Sequence, residues 1–306
     1  MDATRELAVH FFTIVLNGEP FIRYHIGQMK QLPFRWRWHI IEGVAELKHD
    51  TAWSVAAGGR IPASFHASGR SVDGTSAYLD EISLAQPDRV TVYRKPLGAF
   101  WNGKREMVNA PLADITEPCL LWQVDADEMW TAEQFTRGRK LFLDHPSKTA
   151  AFYFCNYFVG PALTVSTRGG YGNNSSYEWL RTWRFRPGMQ WAAHEPPVLG
   201  EKTWSGAERN VASIDPFLHA QTEAAGLVFQ HLAYVTFEQL KFKEDYYGYK
   251  NAVDCWLALQ AVRKFPVYLK DYFPWVRDAT QVRPALDRPV VPLPPPALGN
   301  RLRSQM

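Results

Sequence analysis

The segment Leu120 Leu121 Trp122 Gln123 Val124 Asp125 Ala126 Asp127 Glu128 Met129 Trp130 constrains the fold more than any other: an apolar run stops abruptly at three carboxylates within four residues. A buried strand that delivers acids at its carboxyl end places them where open α/β sheets bind ligands. Such acids repel one another and resist desolvation, so a positive partner is expected, most often a hard divalent cation. The competing reading is a solvated turn, because Asp and Glu also favour the first turn of a helix. Thr131 and Gln134 follow with capping-box spacing, so a helix is expected to start directly after the acids.

The rest of the chain alternates strand and helix patterns. Apolar runs at 10–16, 36–41, 89–93, 119–124 and 149–158 read as strands, and the first ends in Asn17, Gly18 and Pro20. Ile22, Ile26 and Met29 recur with helical spacing, and a second helix is expected over 76–84, after a Gly- and Ser-rich insertion at 56–75. This order predicts an α/β fold with a mainly parallel central sheet flanked by helices. The stretch 166–176, rich in Gly, Ser, Thr and Asn, reads as a loop that covers a site. Residues 180–185 alternate as a half-exposed strand would, and 227–234 reads as a last strand. Thr236 and Gln239 then form a second capping box, and helical patterns run to about 278, broken at Pro266 and Pro274. The expected layout is a catalytic unit over 1–235, with halves at about 10–130 and 131–235. A helical extension over 236–280 and a Pro-rich tail over 281–306, from which no core is expected, complete it.

Composition excludes several classes. With 34 Lys and Arg against 31 Asp and Glu, the formal charge of +3 gives no reason to expect nucleic acid as a partner. No apolar run approaches the roughly 20 residues of a membrane span, and residues 1–9 lack the apolar core of a signal peptide. A soluble cytoplasmic protein is expected, with peripheral membrane contact left open. Cys119, Cys155 and Cys255 form no C-x-x-C pair and read as reduced core residues. The 12 Trp and 13 Tyr suit a protein that packs rings against sugars, although tryptophan is more often simple core.

Chemistry-bearing residues recur at the expected strand ends: Asn17 with Glu19, Glu42, the Asp125–Glu128 cluster, and His194 with Glu195. A cation held by Asp127, with Asp125 nearby, takes its remaining ligands from water and substrate phosphates if it is Mg²⁺ or Mn²⁺, which points to a nucleotide diphosphate. No Walker A or G-x-G-x-x-G loop is present, so scattered Lys and Arg would share that work. His231 is a candidate third ligand or diphosphate contact, or a buried histidine satisfied by backbone. Glu195, beside His194 and Trp191, is either a general base whose pKa is raised by apolar surroundings or a brace for its loop.

Taken together these residues resemble family 2 glycosyltransferases of the GT-A fold. The resemblance rests on the first strand with Asn17 and Glu19, on Glu42, on Lys104 and Arg105 with Asn109, and on Asp125 Ala126 Asp127 Glu128. Arg181 Thr182 Trp183 Arg184 Phe185 with His194 Glu195 resembles the bacterial members that build lipopolysaccharide cores, and the likeness covers roughly 10–235. It implies inverting transfer of a sugar from a nucleotide-diphosphate sugar donor to a glycan or other hydroxyl acceptor, with Mn²⁺ or Mg²⁺ stabilising the departing diphosphate. By position it places Asn17, Glu19, Lys104, Arg105 and Asn109 on the donor side and Glu42 on the nucleoside. Asp125 falls on the ribose or metal, Asp127 on the metal, and Glu195 at the acceptor as base. The chain departs from the family in the long insertion after Ile41 Glu42 Gly43, and it lacks the Q-x-x-R-W of processive synthases. Two rivals share the same acids: a non-catalytic carbohydrate or nucleotide-sugar binding protein, and a metal-dependent nucleotidyltransferase or phosphohydrolase.

Overall fold

A computed structural model describes residues 7–166, 178–202 and 206–293. Among them a seven-stranded sheet runs in the order Pro216–Phe217, Ala150–Phe152, Leu180–Phe185, Cys119–Gln123, Val9–Val15, Trp36–Glu42, Val90–Arg94. The last four of these strands are mutually parallel, and Leu180–Phe185 lies antiparallel to both of its neighbours. Parallel strands covered on both faces need apolar side chains on both, which is why Val9–Val15 and Cys119–Gln123 read as continuous runs rather than alternating ones. The mainly parallel α/β architecture expected from the sequence is the one observed.

A second, six-stranded sheet has the order Val267–Tyr268, Gln281–Pro284, Leu163–Ser166, Phe154–Gly160, Val228–His231, Glu128–Met129. The chain leaves the first sheet at Gln123 and enters the second at Glu128, so the acidic cluster spans the seam between them. Antiparallel register sets His231 opposite Glu128, which brings a residue more than a hundred positions away to the acids. A third sheet contains the hairpin Gln190–His194 and Pro197–Lys202, with Glu195 and Pro196 at its tip.

The acid-to-helix junction forms as expected. Thr131 Oγ1 accepts from Gln134 N and Gln134 Oε1 accepts from Thr131 N, capping the helix Ala132–Asp144. That helix lies close to the sheet because Gly138 has no side chain: a Cβ there would stand 2.4 Å from the ring of Trp122. Trp122 packs edge-on against Trp130 and Phe135 and stacks on Tyr153, all buried. The helices Phe237–Tyr247 and Ala252–Gln260 join the same core through Leu240, Trp256 and Leu259.

Several expectations are corrected. The run 149–158 is two strands: the chain switches sheets at Tyr153, whose hydroxyl bonds Thr182 Oγ1 at 2.8 Å. Leu180–Phe185 is buried rather than half-exposed, because Trp183 packs edge-on against Trp191 in one core cluster and Thr182 meets the buried Tyr153 hydroxyl. The tail does enter a core: Gln281–Pro284 pairs with Leu163–Ser166, Val282 is fully buried, and Val291 is 8% exposed. Apart from Ser166, the covering loop expected at 166–176 lies outside the described residues. Among the described residues no helix is long and apolar enough to cross a membrane. All three cysteines are free thiols, with Cys119 and Cys155 buried and Cys255 partly so.

Candidate active site

A cleft of about 730 Å³ opens over the carboxyl ends of Val9–Val15 and Cys119–Gln123. Asp125 and Asp127, the His194–Glu195 hairpin tip, His231 and the helix Phe237–Tyr247 all contribute to its lining.

The positive partner demanded by the acids is, in part, the chain's own. Glu128 is fully buried, and Arg181 donates to it from Nε at 2.9 and 3.0 Å and from Nη2 at 2.6 Å. The same Nη2 reaches Asp125 Oδ2 at 3.3 Å, while Asp125 Oδ1 accepts from Gln123 at 2.9 Å. Burial works against the Arg181 charge, yet the Glu128 and Asp125 carboxylates outweigh it and raise its pKa further above the guanidinium value. An Arg inside a buried strand requires such a partner, and this was the available sequence signal for it.

Asp127 is left facing the cleft. Its Oδ1 lies 3.5 Å from His231 Nε2, and its Oδ2 lies 3.5 Å from Gln239 Nε2, the side chain that also caps the helix Phe237–Tyr247. Burial opposes its charge, but His231 and then Lys243 hold the carboxyl below its ordinary range. His231 stands edge-on to Tyr157 and Trp179, at 4.8 and 4.9 Å between ring centroids, and its Nδ1 has no hydrogen-bond partner. No group of three or more His, Cys, Asp or Glu is gathered as a chelate among the described residues. Asp127 with His231 fits a cation that draws its other ligands from water and phosphate, as Mg²⁺ characteristically does. Asp125, expected beside Asp127 on the metal, has both oxygens engaged by Arg181 and Gln123.

Across the cleft Glu195 is 43% exposed and accepts from Lys104 Nζ at 3.0 Å. The expectation of a raised pKa is corrected: the Lys104 ammonium outweighs desolvation and lowers it. His194 is pushed down to about 4, first by burial and then by Lys104, and neither ring nitrogen has a partner. It is therefore neutral near pH 7.

Asn17 and Glu19 border the cleft. Asn17, at φ 58°, bridges Phe65 O and Val72 N at 2.8 Å each, so it fastens the insertion to the first strand. Glu19 pairs with Arg23 at 2.7 Å. Glu42 is placed differently from expectation: it is 1% exposed, lies outside the cleft lining, and is consumed by Arg94 at 2.6 Å, Ser71 N at 3.1 Å and the Ser76 hydroxyl. Asn109 and Arg105 also lie outside the lining. The Asn109 amide clamps the Trp191 backbone at 2.9 and 3.0 Å and so positions the His194–Glu195 hairpin. Residues given no site role from the sequence complete the cleft: Arg181, Lys243, Tyr247 and Glu178, whose carboxyl pKa is raised by burial.

No protein-family model and no curated protein matches the chain. Among solved structures it is similar to S. aureus TarS 1–349, with 10% identity over 58% of this chain and 47% of that chain at a TM-score of 0.36. A second S. aureus TarS structure has 10% identity, covering 58% of this chain and 28% of that one at a TM-score of 0.37. A CMP:2-keto-3-deoxy-manno-octonic acid synthetase complexed with CTP has 10% identity, covering 59% of this chain and 72% of that one at a TM-score of 0.28. The chain thus spans less than half of either TarS structure.

Proposed function

We propose that this chain is a metal-dependent inverting glycosyltransferase of the GT-A fold, moving a sugar from a nucleotide-diphosphate sugar to a glycan or other hydroxyl acceptor. The observation that carries this reading is that Asp127 with His231, and an ionised Glu195, face one cleft at the carboxyl ends of parallel strands. Asp127 and His231 would hold the cation, which would supply Lewis-acid stabilisation to the departing diphosphate. Glu195 stands at the solvent-facing rim, where an acceptor enters. It receives the acceptor hydroxyl's proton as the acceptor oxygen bonds to the anomeric carbon, and the bond from that carbon to the diphosphate oxygen breaks on the opposite face. Lys104 keeps Glu195 deprotonated and aimed, and neutral His194 beside it removes a competing positive charge. Arg181 holds Asp125 and Glu128 in place under the donor.

Asp127→Asn retains the shape and removes the charge the cation needs. Titration with Mn²⁺ and UDP, GDP and dTDP is expected to show loss of metal-dependent nucleotide affinity. The loss should be at least the roughly 10- to 100-fold that removing an outer-sphere partner costs a metal site, with the far-ultraviolet circular dichroism unchanged. Parental Mn²⁺-dependent affinity in the variant contradicts the assignment.

A further inference from the structure

Much of the helix Phe237–Tyr247 lines the cleft, and Gln239, Lys243 and Tyr247, spaced four apart, lie one above the other along it. Gln239 reaches Asp127 at one end, and at the other the Tyr247 ring lies 5.4 Å from Lys104 Nζ. Lys243 stands between them, 5.3 Å from the Tyr234 ring centroid and 5.6 Å from that of Tyr247. Lys104 has a carboxylate partner in Glu195, and Lys241, on the same helix, is paired with Glu244 and Asp245 at 3.3 and 3.0 Å. Lys243 has no carboxylate within 4.0 Å among the described residues, although Asp127 acts on it electrostatically. Lys243 lines the cleft between the Tyr234 and Tyr247 rings and offers three donors, a partly apolar setting that strengthens a charge-assisted bond to an incoming oxyanion.

Resting on the transferase reading above, we propose that Lys243 forms a seat for diphosphate oxyanions that operates without a divalent cation. The diphosphate of a donor then lies between two counter-charges, Asp127 with its cation on one side and Lys243 on the other. The chain itself supplies one of the two charges that stabilise the leaving group.

The test is calorimetric titration of inorganic pyrophosphate in excess EDTA, with orthophosphate for comparison, against the parent, Lys243→Met, Lys243→Arg and, as a control outside the cleft lining, Lys140→Met. The parent is expected to bind pyrophosphate more tightly than orthophosphate. Lys243→Met should weaken pyrophosphate on the order of tenfold or more, the usual scale for a charge-assisted hydrogen bond. Lys243→Arg should recover most of the affinity, and Lys140→Met should match the parent. Melting temperature, measured alongside, identifies a variant that fails to fold, and the Arg variant then decides. Pyrophosphate binding that requires Mn²⁺, or parental affinity in a folded Lys243→Met, overturns the seat. Either result leaves the transferase reading standing if Mn²⁺-dependent nucleotide-sugar binding persists. Metal-free pyrophosphate binding lost in Lys243→Met, without turnover of any nucleotide sugar, upholds the seat and counts against the transferase reading.

Discussion

Arg181→Met is expected to destabilise the fold by about 3 to 5 kcal/mol, the cost of leaving a buried carboxylate without its counter-charge. Glu128 is fully buried and takes three hydrogen bonds from this one guanidinium, and Asp125 takes a fourth. Met matches the side chain in length and apolar volume, so lost packing contributes little. Thermal melts and urea titrations should register the loss, with a melting point lower by roughly 10 °C. The pair Glu128→Gln with Arg181→Met removes both charges and should recover part of the deficit, since a neutralised pair avoids the cost of a lone buried ion. A parental melting point for Arg181→Met would show that the cluster is held by something other than Arg181.

Glu195→Gln is expected to lower kcat by about 10² to 10⁴, the usual worth of a positioned general base. Donor affinity and melting temperature should stay near the parent's, because an ion pair with one partner 43% exposed adds little stability. The pH profile supplies a second readout. A base works only when deprotonated, and Lys104 holds the Glu195 pKa below its ordinary 4.5, so activity should persist down to that range and fall below it. Lys104→Met removes the depressing charge, and the acid limb should then move to higher pH. His194, at about 4, should give no limb near 6.5. Near-parental kcat in Glu195→Gln removes the base assignment, and a joint loss of donor affinity and stability assigns Glu195 to bracing the hairpin.

What the sequence disclosed depended on how local the determining forces are. The apolar run that ends in Asp125 announced a buried strand and its ligand-facing end, and both capping boxes formed because their partners lie three residues apart. Pairings set by register across the chain were not legible. His231 meets Glu128 only because two short strands align antiparallel, and nothing local to either segment states that register. Glu42 ends a strand as expected, yet Arg94 on the neighbouring strand turns it inward as a structural ion pair. Arg181 was legible as part of a strand and not as the counter-ion of the acids, because its partners lie more than fifty residues away. The Pro-rich tail hid a strand of four residues, since its one buried side chain, Val282, gives no periodicity to read.

The proposed activity is sugar transfer with departure of a nucleoside diphosphate. The most direct measurement follows a panel of UDP-, GDP- and dTDP-sugars with Mn²⁺ and mixed saccharide acceptors by phosphorus and proton magnetic resonance. The account predicts nucleoside diphosphate released one for one with a glycoside whose anomeric configuration is inverted relative to the donor. Release of pyrophosphate or phosphate, or binding with no turnover of any donor, would contradict it.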